Sequence, residues 1–167
     1  MWFIENERLY IQQLSFDDAS FILELLNTEG WLKHIGDRGV NTIEDAKDYI
    51  SSGPQKAYHQ LGHGLMLLRE KVSNHRVGIC GLLQRDYLSH PDIGYALLPA
   101  YEKKGYASEA CRAIISWHRE EGDQSTIYAI VNPDNNKSIK LLLKLEFELK
   151  EVLERDGQSL NLYQYDL

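Results

Sequence analysis

A strand that runs almost directly into a long helix dominates this chain. Asp92 to Leu98 alternates at period two and is closed by Pro99, and Tyr106 to about Glu121 carries an apolar stripe at helical period. That stripe is Ala107, Ala110, Cys111, Ile114, Ile115 and His118. Such a unit must fold back so that the helix covers the sheet that contains its own strand. Upstream, Arg8 to Leu14 reads as a strand, and Ser15 with Asp18 forms a capping box for a helix carrying Ile22, Leu25 and Leu26 and ending near Asn27. Thr28 to Val40 reads as irregular. A second helix opens at Asn41 or Thr42 and stops before Ser52-Gly53-Pro54. Leu65 to Glu70 and Val77 to Gln84 form a hairpin about Ser73-Asn74-His75, with Gly78 and Gly81 marking a close backbone approach or a bulge. Thr126 to Val131 is a strand and Asn135 to Leu145 a helix. Leu149 to Leu153 and Leu160 to Tyr165 close the chain as a hairpin about Asp156-Gly157. The order predicts a mixed α/β (α+β) domain spanning 1–167, a mostly antiparallel sheet of about seven strands with helices on both faces.

The 167 residues suit one domain. Against 18 lysines and arginines stand 25 aspartates and glutamates, a net charge of −7. The resulting field repels nucleic acid, so an anionic ligand needs a local device. No stretch approaches the ~20 apolar residues of a membrane span. The start, Met1 to Glu7, lacks the basic and apolar regions of a signal peptide. Cys80 and Cys111 lie in apolar runs and read as reduced core residues, which points to the cytoplasm.

The device sits between the dominant strand and helix. A helix start offers unpaired N–H groups and a partial positive charge, which together can cradle a phosphate. Gly105 permits close backbone approach or positive φ, Ala107 and Ser108 leave the amides unshielded, and Lys103 and Lys104 add positive charge. An ordinary tight connection with solvated lysines has the same residues. A Walker loop is excluded because no Gly-Lys-Ser/Thr follows, and the Gly-x-Gly-x-x-Gly dinucleotide fingerprint is absent.

The chain resembles the GNAT acyl-CoA-dependent N-acetyltransferases, most closely the RimJ/RimL-like branch. Glu102-Lys103-Lys104-Gly105-Tyr106-Ala107 matches the family loop Gln/Arg-x-x-Gly-x-Gly/Ala, with Glu102 in place of a donor and Lys103 where many members have glycine. A side chain at Lys103 requires a backbone that is not left-handed. Asp92-Ile93-Gly94-Tyr95 resembles the family's acidic-Ile-Gly-Tyr strand. Asn135-Asn136-Lys137-Ser138 and Lys144-Leu145-Glu146-Phe147 resemble its Asn-x-x-Ser and Lys-Leu-Gly-Phe elements, with Glu146 replacing glycine. Ile35-Gly36-Asp37-Arg38-Gly39 is also similar to this branch.

The resemblance implies a three-layer GNAT domain, acetyl-CoA as cosubstrate, a primary amine as acceptor, no metal, and a homodimer as one allowed state. It implies cofactor contacts from Leu97, Leu98, Lys103, Lys104, Gly105, Tyr106, Ala107, Ser108 and Asn135, with an oxyanion-binding N–H on the Leu97–Leu98 segment. It places the acceptor channel beside the loop holding Trp31, Asp37 and Arg38, though the last two also read as paired loop charges. Many members carry a tyrosine as general acid where this chain has Leu142, which shifts that role to Ser138, near the sulfur.

Asp92, Gly94 and Ala96 share one strand face, and Ile93, Tyr95 and Leu97 share the other, which reads as core. Asp92 is then either a general base or a strand-edge carboxylate satisfied by a backbone donor. Ser138 could equally bond back to a carbonyl one turn earlier. Tyr101 and Tyr106 pack the loop rim and His118 joins the core. His59 and His63 have metal-like spacing, but Gly62 and Gly64 argue against a helix there. A non-catalytic acyl-CoA-binding or regulatory module on the same fold is the rival reading.

Overall fold

The computed structural model describes residues 3–167; Met1 and Trp2, the first residues of the start discussed above, lie outside them. Eight strands form one sheet in the order β1-β2-β3-β4-β5-β6-β8-β7. They are β1 (Phe3–Glu5), β2 (Leu9–Gln13), β3 (Leu65–Glu70), β4 (Arg76–Leu83), β5 (Asp92–Leu97), β6 (Thr126–Val131), β7 (Glu148–Arg155) and β8 (Gln158–Asp166). The strand beyond the seven expected is β1, whose three residues are too few to show a period. Its pairing with β2, Ile4 opposite Ile11, supplies what its own sequence does not.

The helices are α1 (Ala19–Leu26), α2 (Glu29–His34), α3 (Ile43–Ile50), α4 (Lys56–Leu61), α5 (Tyr106–Glu121) and α6 (Asn136–Lys144). Leu67 and Ile79 pack with Ile22, Leu25, Trp31, Ala46 and Ile50 on one side of the sheet. Met66, Leu68, Cys80 and Leu82 pack with Cys111, Ile114, Ile115 and Leu142 on the other. Helices therefore cover both faces. The capping boxes Ser15/Asp18 and Thr42/Asp45 both form.

Two sequence expectations in this region are corrected. Thr28 to Val40 is not wholly irregular, because Thr28 caps α2 by accepting from the Trp31 N–H at 3.4 Å. Helix α3 does end before Ser52-Gly53-Pro54, at Ile50, but the chain stays helical beyond it, which the breakers did not lead one to expect. The chain continues through a wide π-type turn over Ser51–Gln55 into α4. Such a turn absorbs a proline that an ordinary α-turn would clash with. His59 accordingly lies on a helix that the nearby glycines were expected to preclude, while His63 Nδ1 lies 3.3 Å from the Leu82 carbonyl oxygen. Among the described residues no cluster of His, Cys, Asp or Glu is suited to a metal ion.

Close approach, as expected, explains Gly81: a Cβ there would lie 2.0 Å from the Gly64 carbonyl oxygen. Cys80 and Cys111, far apart in sequence, meet across β4 and α5 with sulfurs 3.8 Å apart, both buried free thiols.

Helix α6 ends in a Schellman turn. Glu146 donates its N–H to the Leu143 carbonyl at 3.1 Å and Phe147 donates to Leu142 at 3.0 Å. The turn puts Glu146 at φ 69°, a conformation that favours glycine. Glu146→Gly is therefore expected to stabilise the fold by about 1 kcal/mol, raising the melting temperature by about 2–4 °C. A thermal melt that falls instead would show that the Glu146 side chain contributes more than the turn costs.

Candidate active site

Seven neighbouring strand pairs make up the sheet, and β5 with β6 is the parallel one. It is registered at a single position, Asp92 opposite Tyr128, where the Tyr128 N–H also donates to the Pro91 carbonyl at 2.9 Å. Beyond Asp92 no ladder joins the two strands, so a gap opens along Ile93 to Leu97. Helix α5 follows one side of this gap and α6 the other.

The connection at the far end of β5 is tight. Leu98 donates its N–H to Val77 at 2.9 Å, and Pro99 to Tyr101 form one helical turn. Gly105 then caps α5 with φ 86°. The N–H groups of Tyr106, Ala107 and Ser108 meet no acceptor among the described residues, while Glu109 N–H bonds to the Gly105 carbonyl at 3.1 Å. Arg8 braces this turn from outside. Its Nε donates to Glu109 Oε2 at 2.6 Å, its backbone N–H to Glu109 Oε1 at 2.8 Å, and its Nη1 to the Lys104 carbonyl at 2.9 Å. The same guanidinium lies 4.6 Å from the centre of the Tyr106 ring. Tyr106 donates in turn to Glu70, which also accepts from Ser73. The Ser73 and Tyr106 hydroxyls together hold the Glu70 carboxyl below its usual range. Tyr101 lines the rim, its hydroxyl 2.8 Å from His75 Nδ1 and its ring 5.2 Å from Lys104 Nζ. Nothing in the sequence singled out Arg8 as the brace, since its partners lie about a hundred residues away.

Lys103 corrects an expectation. Its φ is 60°, left-handed, so the loop keeps glycine's conformation where glycine is missing, at a cost of about 1 kcal/mol. Glu102 does not merely remove a donor either: it accepts from Lys137 Nζ on α6 at 2.9 Å and so ties the loop across the gap. It also adds a negative charge to the loop that leads into the amides that would hold an anion. Glu102→Gln should tighten acetyl-CoA binding by about 3- to 10-fold, because it removes one repulsive charge from a half-exposed position. Calorimetry decides; weaker binding would make the Lys137 tie the more important role.

Asp92 is 2% exposed and pairs with Arg85, Nε to Oδ1 at 2.9 Å. Its charge partner is thus a guanidinium from the β4–β5 loop, which acts beside a backbone hydrogen bond from Asp92 itself. Burial raises the Asp92 pKa, and Arg85 opposes that rise. Asn135 caps α6, its Oδ1 accepting from the Ser138 N–H at 3.2 Å. Ser138 Oγ bonds to no carbonyl one turn earlier; it accepts from the Tyr95 hydroxyl at 2.8 Å. The sequence reading assigned Tyr95 to the core, and only its ring is there. Leu142 is 3% exposed within the core.

The N-terminal candidates are scattered. Trp31 is 5% exposed, packed in the core, and its indole N–H has no partner. Asp37 accepts the Gly39 N–H at 2.7 Å and does not pair with Arg38. Arg38 borders a shallow cavity of about 300 Å³ with Asp45, Asp48 and Tyr49. A larger open cleft of about 690 Å³ adjoins Leu98 and Tyr101, lined also by Phe21, Glu24 and His75.

This strand–loop–helix with an amide cradle, opening onto a gap between parted parallel strands, suits a ligand with an anionic head and a slender arm. Residues 8–148 match the acetyltransferase (GNAT) domain family, and the chain belongs to it. It is similar to YoaA of Bacillus subtilis, a protein described as an uncharacterized N-acetyltransferase, at 27% identity over 91% of this chain and 86% of that one. An acetyltransferase structure from Agrobacterium tumefaciens superposes with a TM-score of 0.85 at 20% identity, covering 100% of this chain and 95% of that one. RimL, a ribosomal alpha-N-protein acetyltransferase in complex with coenzyme A, superposes with a TM-score of 0.83 at 17% identity, covering 99% and 98%. The chain is thus an N-acetyltransferase of the GNAT family, with the RimL-type proteins among its structural neighbours.

Proposed function

We propose that residues 1–167 form one cytoplasmic catalytic domain that transfers an acetyl group from acetyl-CoA to a primary amine by direct attack in a ternary complex. The observation that carries this reading is the gap beyond Asp92, bordered at one end by the unpaired N–H groups of α5. The diphosphate of acetyl-CoA rests on the amides of Lys103 to Ser108, and Lys104 adds charge to a chain that is otherwise acidic. Leu97, Leu98 and Asn135 guide the pantetheine arm toward Ser138. The two buried free thiols support the location.

In the reaction a neutral amine attacks the thioester carbon. Its excess proton passes to Asp92, directly or through water, and the Leu97 N–H stabilises the oxyanion, because the Leu98 N–H of the same expected segment is already donated to Val77. Trp31 shapes the acceptor side from within the core, and Asp37 and Arg38 approach the acceptor from its surface. Acceptor classes that present a primary amine include protein N-termini, polyamines, amino acids and drug amines. A panel of these, incubated with acetyl-CoA and read by thiol release, tests the proposal. Tight acetyl-CoA binding without thiol release on any amine would instead support the non-catalytic reading, which the leucine at position 142 favours.

A further inference from the structure

The Tyr95–Ser138 hydrogen bond joins residues 43 apart, one on β5 and one in the first turn of α6. At Tyr95 the two parallel strands have already parted, so the bond reaches from one side of the gap to the helix that follows the other. The ring of Tyr95 packs against the core, which fixes where its hydroxyl can go. Ser138 is equally constrained: its N–H is taken by Asn135, and its Oγ accepts from Tyr95 alone.

A serine hydroxyl has two acceptor lone pairs and one proton. Because Tyr95 donates, the Ser138 proton is not used within this pair and is free for a second acceptor. A serine in a helix usually spends that proton on a carbonyl one turn back; here it does not. One turn further along α6, Leu142 is apolar and buried and has no proton to give. We propose that Tyr95 is the positioning residue for the leaving thiol, holding Ser138 so that its proton is directed at the departing sulfur. This rests on the reading that acetyl-CoA occupies the gap.

The chemistry balances without transfer of the serine proton. The amine nitrogen forms its bond to the carbonyl carbon, and the excess proton leaves the nitrogen for a base. The tetrahedral intermediate then collapses: the carbon–sulfur bond breaks and its electron pair stays on sulfur. Ser138 hydrogen-bonds the resulting thiolate. A thiol with pKa near ~8.5 needs only that much help at neutral pH. Burial raises the Tyr95 pKa, so the phenol stays protonated and remains a donor throughout the working range.

Coenzyme A itself is the probe, because its thiolate absorbs in the ultraviolet and the titration needs no acceptor. Bound to the wild-type protein, its thiol pKa should lie about one pH unit below that of free coenzyme A, the effect of one hydrogen bond to a charged group. Tyr95→Phe, which keeps the packed ring, and Ser138→Ala should each raise it back toward the free value. The double variant should do no more than either alone. With an amine from the panel, Tyr95→Phe should lower kcat by about 10-fold and leave the acetyl-CoA KM within about twofold. A wild-type thiol pKa in Tyr95→Phe, or full additivity in the double variant, overturns the proposal. Failure of the wild-type protein to bind coenzyme A at all overturns the cofactor reading, and this proposal with it.

Discussion

Gly105→Val is expected to weaken acetyl-CoA binding by about 100-fold or more while leaving a folded protein. Two causes act together. The residue sits at φ 86°, where a β-branched side chain is strained, and its Cβ would lie 3.2 Å from Arg8 Nη2. The Arg8 guanidinium cannot simply swing aside, because Nε holds it to Glu109 and Nη1 to the Lys104 carbonyl. The turn must relax, and the first-turn amides of α5 then point away from a diphosphate. Calorimetry on protein with an intact melt is the measurement. Placing the substitution in an Arg8→Ala background separates the causes: recovery there means the contact dominates, and none means the backbone does. Affinity within about threefold of wild type would remove this loop from the cofactor site.

The part of the molecule that builds this loop was legible because its periods are long and uninterrupted. Helix α5 and strand β6 begin and end where the pattern puts them, and β5 is shorter by one residue. Legibility fails where a local signal is contradicted by its surroundings. Gly30 lies inside α2 and Pro54 inside the turn joining α3 to α4; each is a breaker by propensity. In both places burial of neighbours, Trp31 in one and Ile50 with Pro54 in the other, holds the chain helical. Left-handed Lys103 and Glu146 are the same lesson at single residues. Sterics disfavour the conformation locally, and a tight loop in one case and a Schellman turn in the other impose it.

The candidate site was legible by residue type and less so by partner. Asp92 and Ser138 could be singled out from the strand and helix they lie on. Arg85, Tyr95 and Lys137, which hold Asp92, Ser138 and Glu102, could not. Period two assigns Tyr95 to one face and so calls it core, yet a tyrosine is apolar along its ring and polar at its tip. The hydroxyl finds its partner through tertiary structure alone. Arg85 lies in a loop with no period, and only the fold brings it to a carboxylate that burial would otherwise leave without a charge partner.

That pairing sets the expectations for Asp92. Asp92→Asn keeps the shape and removes the proton acceptor, so turnover should fall by about 100-fold near neutral pH, with acetyl-CoA affinity nearly unchanged. The deficit should shrink as pH rises and the free amine becomes the main species; a deficit constant across pH would make Asp92 structural. Burial raises the folded pKa of Asp92 above its ordinary value of 3.8, and Arg85 restrains the rise. A raised carboxyl binds protons more readily folded than unfolded, so ionising it costs stability as pH climbs from the unfolded value through the folded one. Arg85→Met removes the restraint and pushes that pKa further up. Its kcat/KM profile should therefore lose activity on the acid side first, with the rising limb displaced to higher pH than in the wild type. Its melting temperature should fall most at neutral pH, where Asp92 is charged and unpaired, and approach that of the wild type as acidification protonates the carboxyl. A melting deficit that widens toward acid would mean that Arg85 stabilises the fold by packing rather than through the charge of Asp92.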